Sequence, residues 1–572
     1  MNISERESFL KANSIIDSTE TYQDMVSRVS ELVLNSETVY RKKPEADIFQ
    51  KKIKTSMYKG EFIPSTTILT NAGRRTDRPL SACAVPPTSL KEDYKTIKTM
   101  VDYYHQVGMG TGFNFDDSED PIKIAMYLND IAVEGLNSDL QERPVGNMGI
   151  ITTNHPKITE FISLKNGEEK NKQWAFNISI NVPADFMKAI DEKEPYHLKD
   201  GTQINPSELF ETICETAWSC GDPGLMFLER FNKDNPAPQA GEYKSIAPCG
   251  EVAMTEGETC QFSYINVAKF LDPTNKKINY KKLEETIYDI TRFLDDALDV
   301  SLEKYENETT INIMTKKRKI GIGICGLAKL FLKMKIVYGS EKSIEIARDL
   351  MSHITYHSKL ASVELSKERG PFPLYFEEET LIGNSFVFDR FSKEKSRTVS
   401  QKMWKYLDIE ITKHGIRNIS TTALPPTGRS ATVIDTSQSI EPYFMFDFNN
   451  KSLQGILKQQ LLENNVSDKE SRKIIARLKQ GEEIKNIDSI PKDIQELYVT
   501  ALDVDPKKEV DMVATLQKFT DESISKTVNL PENCSVGDIA QIYKYAFDSG
   551  LKGITVYRNN SKKFQPKRLT KD

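Results

Sequence analysis

The sequence predicts an α/β fold built on parallel strands. Two observations carry that expectation. Short β-rich runs alternate with amphipathic helices along most of the chain, and 572 residues at 38% hydrophobic content suffice for a large core. Residues 6–35 are expected to be helical, with Ile15, Ile16, Met25, Val26, Val29 and Leu32 on one stripe. A second helix is expected over 90–107, opened by Ser89 with Asp93, and a third over 206–219, where Pro206 sits in the first turn. Residues 280–303 form a longer one through Leu283, Ile287, Ile290, Leu294 and Leu298. Between them, 176–182, 319–324, 430–434 and 553–557 read as strands. The expected organisation is a helical region over 1–60, an α/β body over 61–560 and a basic tail over 561–572. A charged helical insertion, rich in Lys, Glu and Gln, interrupts the body at 451–510.

Composition excludes several function classes. A net charge of -6 gives no basic excess for binding a nucleic-acid backbone, and the run Ser561 to Arg568 reads as a short solvated tail. No stretch approaches the roughly 20 apolar residues that span a bilayer. The start, Met1 to Arg6, lacks a signal-peptide core, so a cytoplasmic protein is expected. Seven cysteines with no CxxC pair, in a reducing compartment, are neither a disulfide framework nor a zinc ribbon. The six histidines form no HxH or HExxH pattern, so no metal site is expected. GxSxG and Walker patterns are absent as well.

The remaining candidates are cysteines and glycine-rich turns. Cys249 stands in Pro248-Cys249-Gly250-Glu251, flanked by turn formers and two residues from a carboxylate. Cys260 follows in Thr259-Cys260-Gln261, and Cys83 lies in Leu80-Ser81-Ala82-Cys83-Ala84. Taken singly, each reads first as an inert, small buried hydrophobe. Gly108 to Gly112 neither follows a strand nor opens a helix, as a dinucleotide fingerprint would. Pro425 to Ser430 offers amides, hydroxyls and the Arg429 guanidinium to an anion, and also fits a plain Pro-Gly turn.

In order along the chain, these segments resemble the catalytic subunit of ribonucleotide reductases, closest to the adenosylcobalamin-dependent class. The resemblance spans about residues 60–560. It runs through Asn71-Ala72-Gly73 with Leu80 to Cys83, Gly110 to Phe115, His155-Pro156, Gly221 to Gly224 and Pro248 to Glu251. It continues through Ile320 to Gly323, Pro426 to Gly428, Ser439 to Pro442, Lys526 to Pro531 and Gly550 to Arg558. It implies a ten-stranded α/β barrel of the ribonucleotide reductase and glycyl radical type, with a finger loop carrying the radical cysteine. Cys249 then matches the radical cysteine, Glu251 its carboxylate, and Cys83 and Cys260 the pair that supplies two electrons by closing to a disulfide. Residues Pro426, Thr427, Gly428, Arg429 and Ser430 match the loop that holds the substrate phosphates. Thr66, Ala82, Gly110 and Ala247 match further substrate positions. The implied cofactor is adenosylcobalamin. The implied partners are a ribonucleotide, an external thiol reductant such as thioredoxin and, in a homodimer, a second copy.

The sequence departs from the family at several points. Ala247 stands where the family has a substrate-binding asparagine, and Arg429 where it has a small hydroxyl residue. Asp116 and Asp117 occupy a stretch that tends to be basic and leads into the region resembling the specificity site. No cysteine pair follows Tyr557, so the reductant is expected to reach Cys83 and Cys260 directly. The segment before residue 60 is shorter than an ATP-cone, and control by such a domain is not expected. Ala247 and Arg429 also fit an alternative, a radical enzyme of the same fold acting on another nucleotide or nucleoside.

Overall fold

The computed structural model describes residues 1–561 except 89, 139–143, 168–171 and 378–379. Of the expected basic tail only Ser561 falls within the described residues, and Ser89 falls outside them.

Cys83–Ala84, Gly110–Asn114, Asn147–Thr152, Asn177–Asn181 and Gly224–Met226 form five parallel strands, each hydrogen-bonded to the next. Parallel neighbours need crossover connections. Here these carry helices, among them Tyr94–Gln106, Pro121–Asn137 and Pro206–Cys220. A second parallel series begins with Phe262–Asn266 on Gly321–Cys325. It continues through parallel bridges from Ile322 to Thr422 and from Leu424 to Ile524, and ends with Thr527–Leu530 on Gly553–Arg558. Two antiparallel seams join the halves. Gly553–Arg558 pairs with Gly224–Met226, and Thr259–Cys260, which leads through Gln261 into Phe262–Asn266, pairs with Cys83–Ala84. The pairings therefore pass through ten strand positions, five per half, and return to the first. The strand residues are buried along most of their length, as parallel strands covered by helices must be.

Outside the ring, the N-terminal region folds as Ile3–Ala12, Tyr22–Tyr40 and Lys43–Lys59. The single helix expected over 6–35 is broken. Ser14 takes a positive φ of 55°, and Thr21 with Asp24 forms a capping box that starts a new helix. Ile15 and Ile16 are buried in the intervening turn, so their apolar spacing reflects burial rather than helix. The other three expected helices appear as Tyr94–Gln106, Pro206–Cys220 and Tyr280–Leu302.

The strand expected over 430–434 is overturned, because Gly428–Val433 is a short helix. Thr432, Val433 and Ile434 favour a strand locally, but Gly428 turns the chain with a φ of +35°. Ser430 then donates to the Pro64 carbonyl at 3.0 Å, and tertiary contact overrides propensity. Residues 451–510 include the helices Lys451–Glu463 and Asp468–Lys479, which bury their own apolar cluster around Leu457, Leu461, Ile474 and Ile494. No helix among the described residues is long and apolar enough to cross a membrane.

Candidate active site

The residues around Cys249 form a hairpin that enters the ring. Ser245–Ile246 pairs antiparallel with Ala253–Met254, and Ala247 donates its amide to the Val252 carbonyl at 2.8 Å. Gly250, at a φ of +77°, closes the tip by donating to the Ala247 carbonyl at 2.8 Å.

Glycines make room for this hairpin. A Cβ on Gly112 would collide with the Ile246 carbonyl oxygen. One on Gly110 would stand 3.2 Å from Pro248 Cγ, and one on Gly146 3.2 Å from Pro248 Cβ. On the far side, Ser523 donates its amide to the Glu251 carbonyl at 2.9 Å. The loop thus bridges the two halves of the ring. Gly110 and Gly112, unplaced as a phosphate motif, serve as the floor on which the loop rests.

Cys249 is the exposed residue of a loop otherwise buried from Ser245 to Thr255. Protein nevertheless surrounds it, so it opens onto the interior space of the barrel rather than the outer surface. Burial pushes its thiol well above the usual range, and Glu251 and Cys83 add to the shift. The group is a neutral thiol at physiological pH, the form from which a hydrogen atom can be removed. Glu251 is 2% exposed, and its Oε2 has no hydrogen-bond partner among the described residues. Burial lifts its carboxyl to about 7, against backbone amides at 251 and 249 that pull it down. A carboxyl poised there exchanges protons readily at neutral pH.

Cys83 and Cys260 are directly opposed across the antiparallel seam. Facing residues in such a ladder place their Cβ atoms about 4.5–5.5 Å apart on one face. A small adjustment brings that to the roughly 3.5–4.5 Å of a disulfide. Both are thiols in this structure. Ala82 donates its amide to the Cys260 carbonyl at 2.9 Å, and its own carbonyl accepts from Gly110 at 3.0 Å. The seam therefore brings Ala82, Cys83, Gly110 and Cys260 together. Ala247, fully buried on the loop, contributes only a methyl group.

The loop 426–430 follows the strand position 421–424. Thr427 accepts the Ser439 amide at 2.8 Å, which fixes the turn. Thr66 and Ser430 approach to 3.4 Å between hydroxyl oxygens, so two separately expected substrate positions meet. Arg429 is half-buried, and burial lowers its pKa. It has no ion-pair partner among the described residues.

The motif order reads directly onto known proteins. The family described as "ribonucleotide reductase, barrel domain" matches residues 81–557. The chain belongs to the ribonucleotide reductase family. A vitamin B12-dependent ribonucleoside-diphosphate reductase of Thermoplasma acidophilum is 33% identical over 535 residues, covering 88% of this chain and 64% of that protein. One from Mycobacterium tuberculosis is 30% identical over 536 residues, covering 88% and 71%. This reductase-family chain thus spans about two thirds of the length of these curated relatives. Its fold matches the class Id ribonucleotide reductase alpha subunit of Actinobacillus ureae at a TM-score of 0.74. That match covers 97% of each chain at 17% identity.

Tyr264 does not stand out in the sequence. It lies four residues after Cys260 on the continuing strand, and all four expected site side chains, Cys83, Cys249, Glu251 and Cys260, bear on it electrostatically. Burial, then Glu251, Cys260, Cys83 and Cys249, raise its phenol well above its ordinary range. The readable signal was the two-residue period that places Cys260, Phe262 and Tyr264 on one face.

Proposed function

We propose that this protein reduces ribonucleotides to 2′-deoxyribonucleotides by a radical mechanism dependent on adenosylcobalamin. The observation that carries the reading is the loop presenting Cys249 and Glu251 to the barrel interior, near the opposed Cys83–Cys260 pair.

A Cys249 thiyl takes the hydrogen from C3′ of the ribose. Glu251 accepts the 3′-hydroxyl proton, and the 2′-hydroxyl leaves as water with a proton from the thiol pair. Cys83 and Cys260 give two electrons and close to a disulfide, and Cys249 returns its hydrogen to C3′. One ribonucleotide and two thiols become one deoxyribonucleotide, one disulfide and water. The amides of 427–430 and the Arg429 guanidinium hold the phosphates.

Bound adenosylcobalamin supplies the radical that oxidises Cys249. The chain fits that role in one respect: Cys249 is the accessible residue of its loop, and its neighbours Pro248 and Gly250 bring no competing polar side chain. The B12-dependent relatives support the assignment. An external dithiol reductant of the thioredoxin kind regenerates the pair, in keeping with a reducing, cytoplasmic setting.

The test is anaerobic incubation with adenosylcobalamin, a dithiol and the four ribonucleotides as di- and triphosphates, read by mass spectrometry. Deoxynucleotides are expected. With the dithiol omitted, peptide mapping is expected to show a Cys83–Cys260 disulfide after one turnover. Cofactor cleavage without deoxynucleotide would sink the reading in favour of another nucleotide or nucleoside substrate.

A further inference from the structure

Tyr264 occupies the stretch of wall between the cysteine pair and the phosphate loop. It shares the strand face of Cys260. Its register partner is Gly323, and a Cβ there would stand 3.2 Å from Tyr264 Cδ1 and 3.1 Å from Pro425 Cδ, the residue that leads into 426–430. A nucleotide with its phosphates on that loop and its sugar beside Cys249 must cross this ring.

Tyr264 is 5% exposed. Tyr338, Tyr498 and Tyr543 are as deeply buried, and each donates to the protein, at 2.7, 2.8 and 2.9 Å. The Tyr264 hydroxyl makes no hydrogen bond among the described residues. Unlike the sealed hydroxyls of Tyr103 and Tyr104, it stays accessible. Burial keeps it a neutral phenol, and so a donor. The finger loop itself offers little to a sugar. Ala247, Pro248 and Gly250 have no polar side-chain atom, which leaves Glu251 alone. A ribose hydroxyl enclosed here without a partner would lose affinity.

Resting on the function proposed above, we propose that the Tyr264 hydroxyl is a sugar-positioning donor that hydrogen-bonds a ribose hydroxyl and supplies the polar contact that Ala247 cannot. It makes the site selective for ribose over a sugar lacking that hydroxyl.

The test is calorimetric titration of the reduced, cobalamin-free protein with the four ribonucleoside diphosphates and their 2′-deoxy and 3′-deoxy counterparts, beside steady-state turnover of the complete enzyme. The wild type is expected to prefer ribose over one deoxy counterpart by about tenfold. Tyr264→Phe keeps the ring over Gly323 and should leave the unfolding midpoint unchanged. It is expected to abolish that preference and to raise KM more than it lowers kcat. Ala247→Asn placed in the Tyr264→Phe background is expected to restore part of the preference. A Tyr264→Phe variant with wild-type selectivity and KM overturns the inference while wild-type turnover leaves the reductase reading standing. A wild type that neither binds nor reduces ribonucleotides overturns both.

Discussion

Glu251 and Glu258 are seven residues apart, both buried, and their carboxyls are driven in opposite directions. Glu251 has no cation beside it among the described residues, and burial lifts it to about 7. Burial would lift Glu258 too, but Lys317 at 3.0 Å and Lys319 at 3.2 Å outweigh it and hold the carboxyl down to about 2. Lys319 also lies 3.3 Å from Glu522 and donates to the Ala253 carbonyl at 2.9 Å, at the base of the finger hairpin. The region around Glu258 is a charge-paired foundation. Around Cys249 and Tyr264 the side chains make no hydrogen bond among the described residues, and Glu251 keeps one carboxylate oxygen unpaired. Groups that must exchange protons or hydrogen with a substrate cannot be saturated by the fold, whereas groups that only hold the loop can be.

The contrast predicts which substitutions cost activity and which cost stability. The largest effect is expected at Cys249. Cys249→Ala should remove deoxynucleotide formation to background while leaving the denaturant midpoint where it was. A marked loss of stability would show that the loop tip is structural after all.

Next comes Glu258→Gln, which leaves two buried lysines short of their counter-ion. It should destabilise the protein by about 3–5 kcal/mol in denaturant titration. Glu258 has a depressed folded pKa, so its contribution is present above about pH 4.5 and is lost as pH falls toward 2. That acid loss should shrink in the variant.

Gly112→Ala forces a methyl into the Ile246 carbonyl and should cost about 1–3 kcal/mol, with activity falling further as the hairpin shifts. An unaffected variant would mean the hairpin does not rest on that strand.

The most diagnostic stability change is at Glu251, where the sign reverses. Its folded pKa is raised, so its stabilising effect is present below about pH 4.5 and is lost as pH rises through about 7. Glu251→Gln should therefore stabilise the protein at pH 8, by about 1–3 kcal/mol, while abolishing turnover. In the wild type, kcat/KM should climb about tenfold per pH unit below 7 and level off above it, since the carboxylate is the proton acceptor. A profile flat between pH 5.5 and 8 would remove Glu251 from that role.

Much of this was readable in advance. The motif order led to the barrel family, and the turn formers around Cys249 fold as a hairpin tip. Gly110 was matched to a substrate position, but its part with Gly112 in seating the finger hairpin was not legible, because a glycine shows that use only when the chain that crosses it is known. The strand expected at 430–434 failed because a positive φ at Gly428 and the Pro64 contact are tertiary facts.

By itself the sequence determined the alternating α/β architecture and the apolar faces of its main helices, since residue type and period are local properties. Tertiary structure decided that Cys83 faces Cys260 from 177 residues away, that Gly110, Gly112 and Gly146 make room for a loop more than 95 residues later, and that Tyr264 stands within the electrostatic reach of Cys83, Cys249, Glu251 and Cys260. Those outcomes depend on how the two five-stranded halves close on each other. No window of sequence contains both sides of that seam.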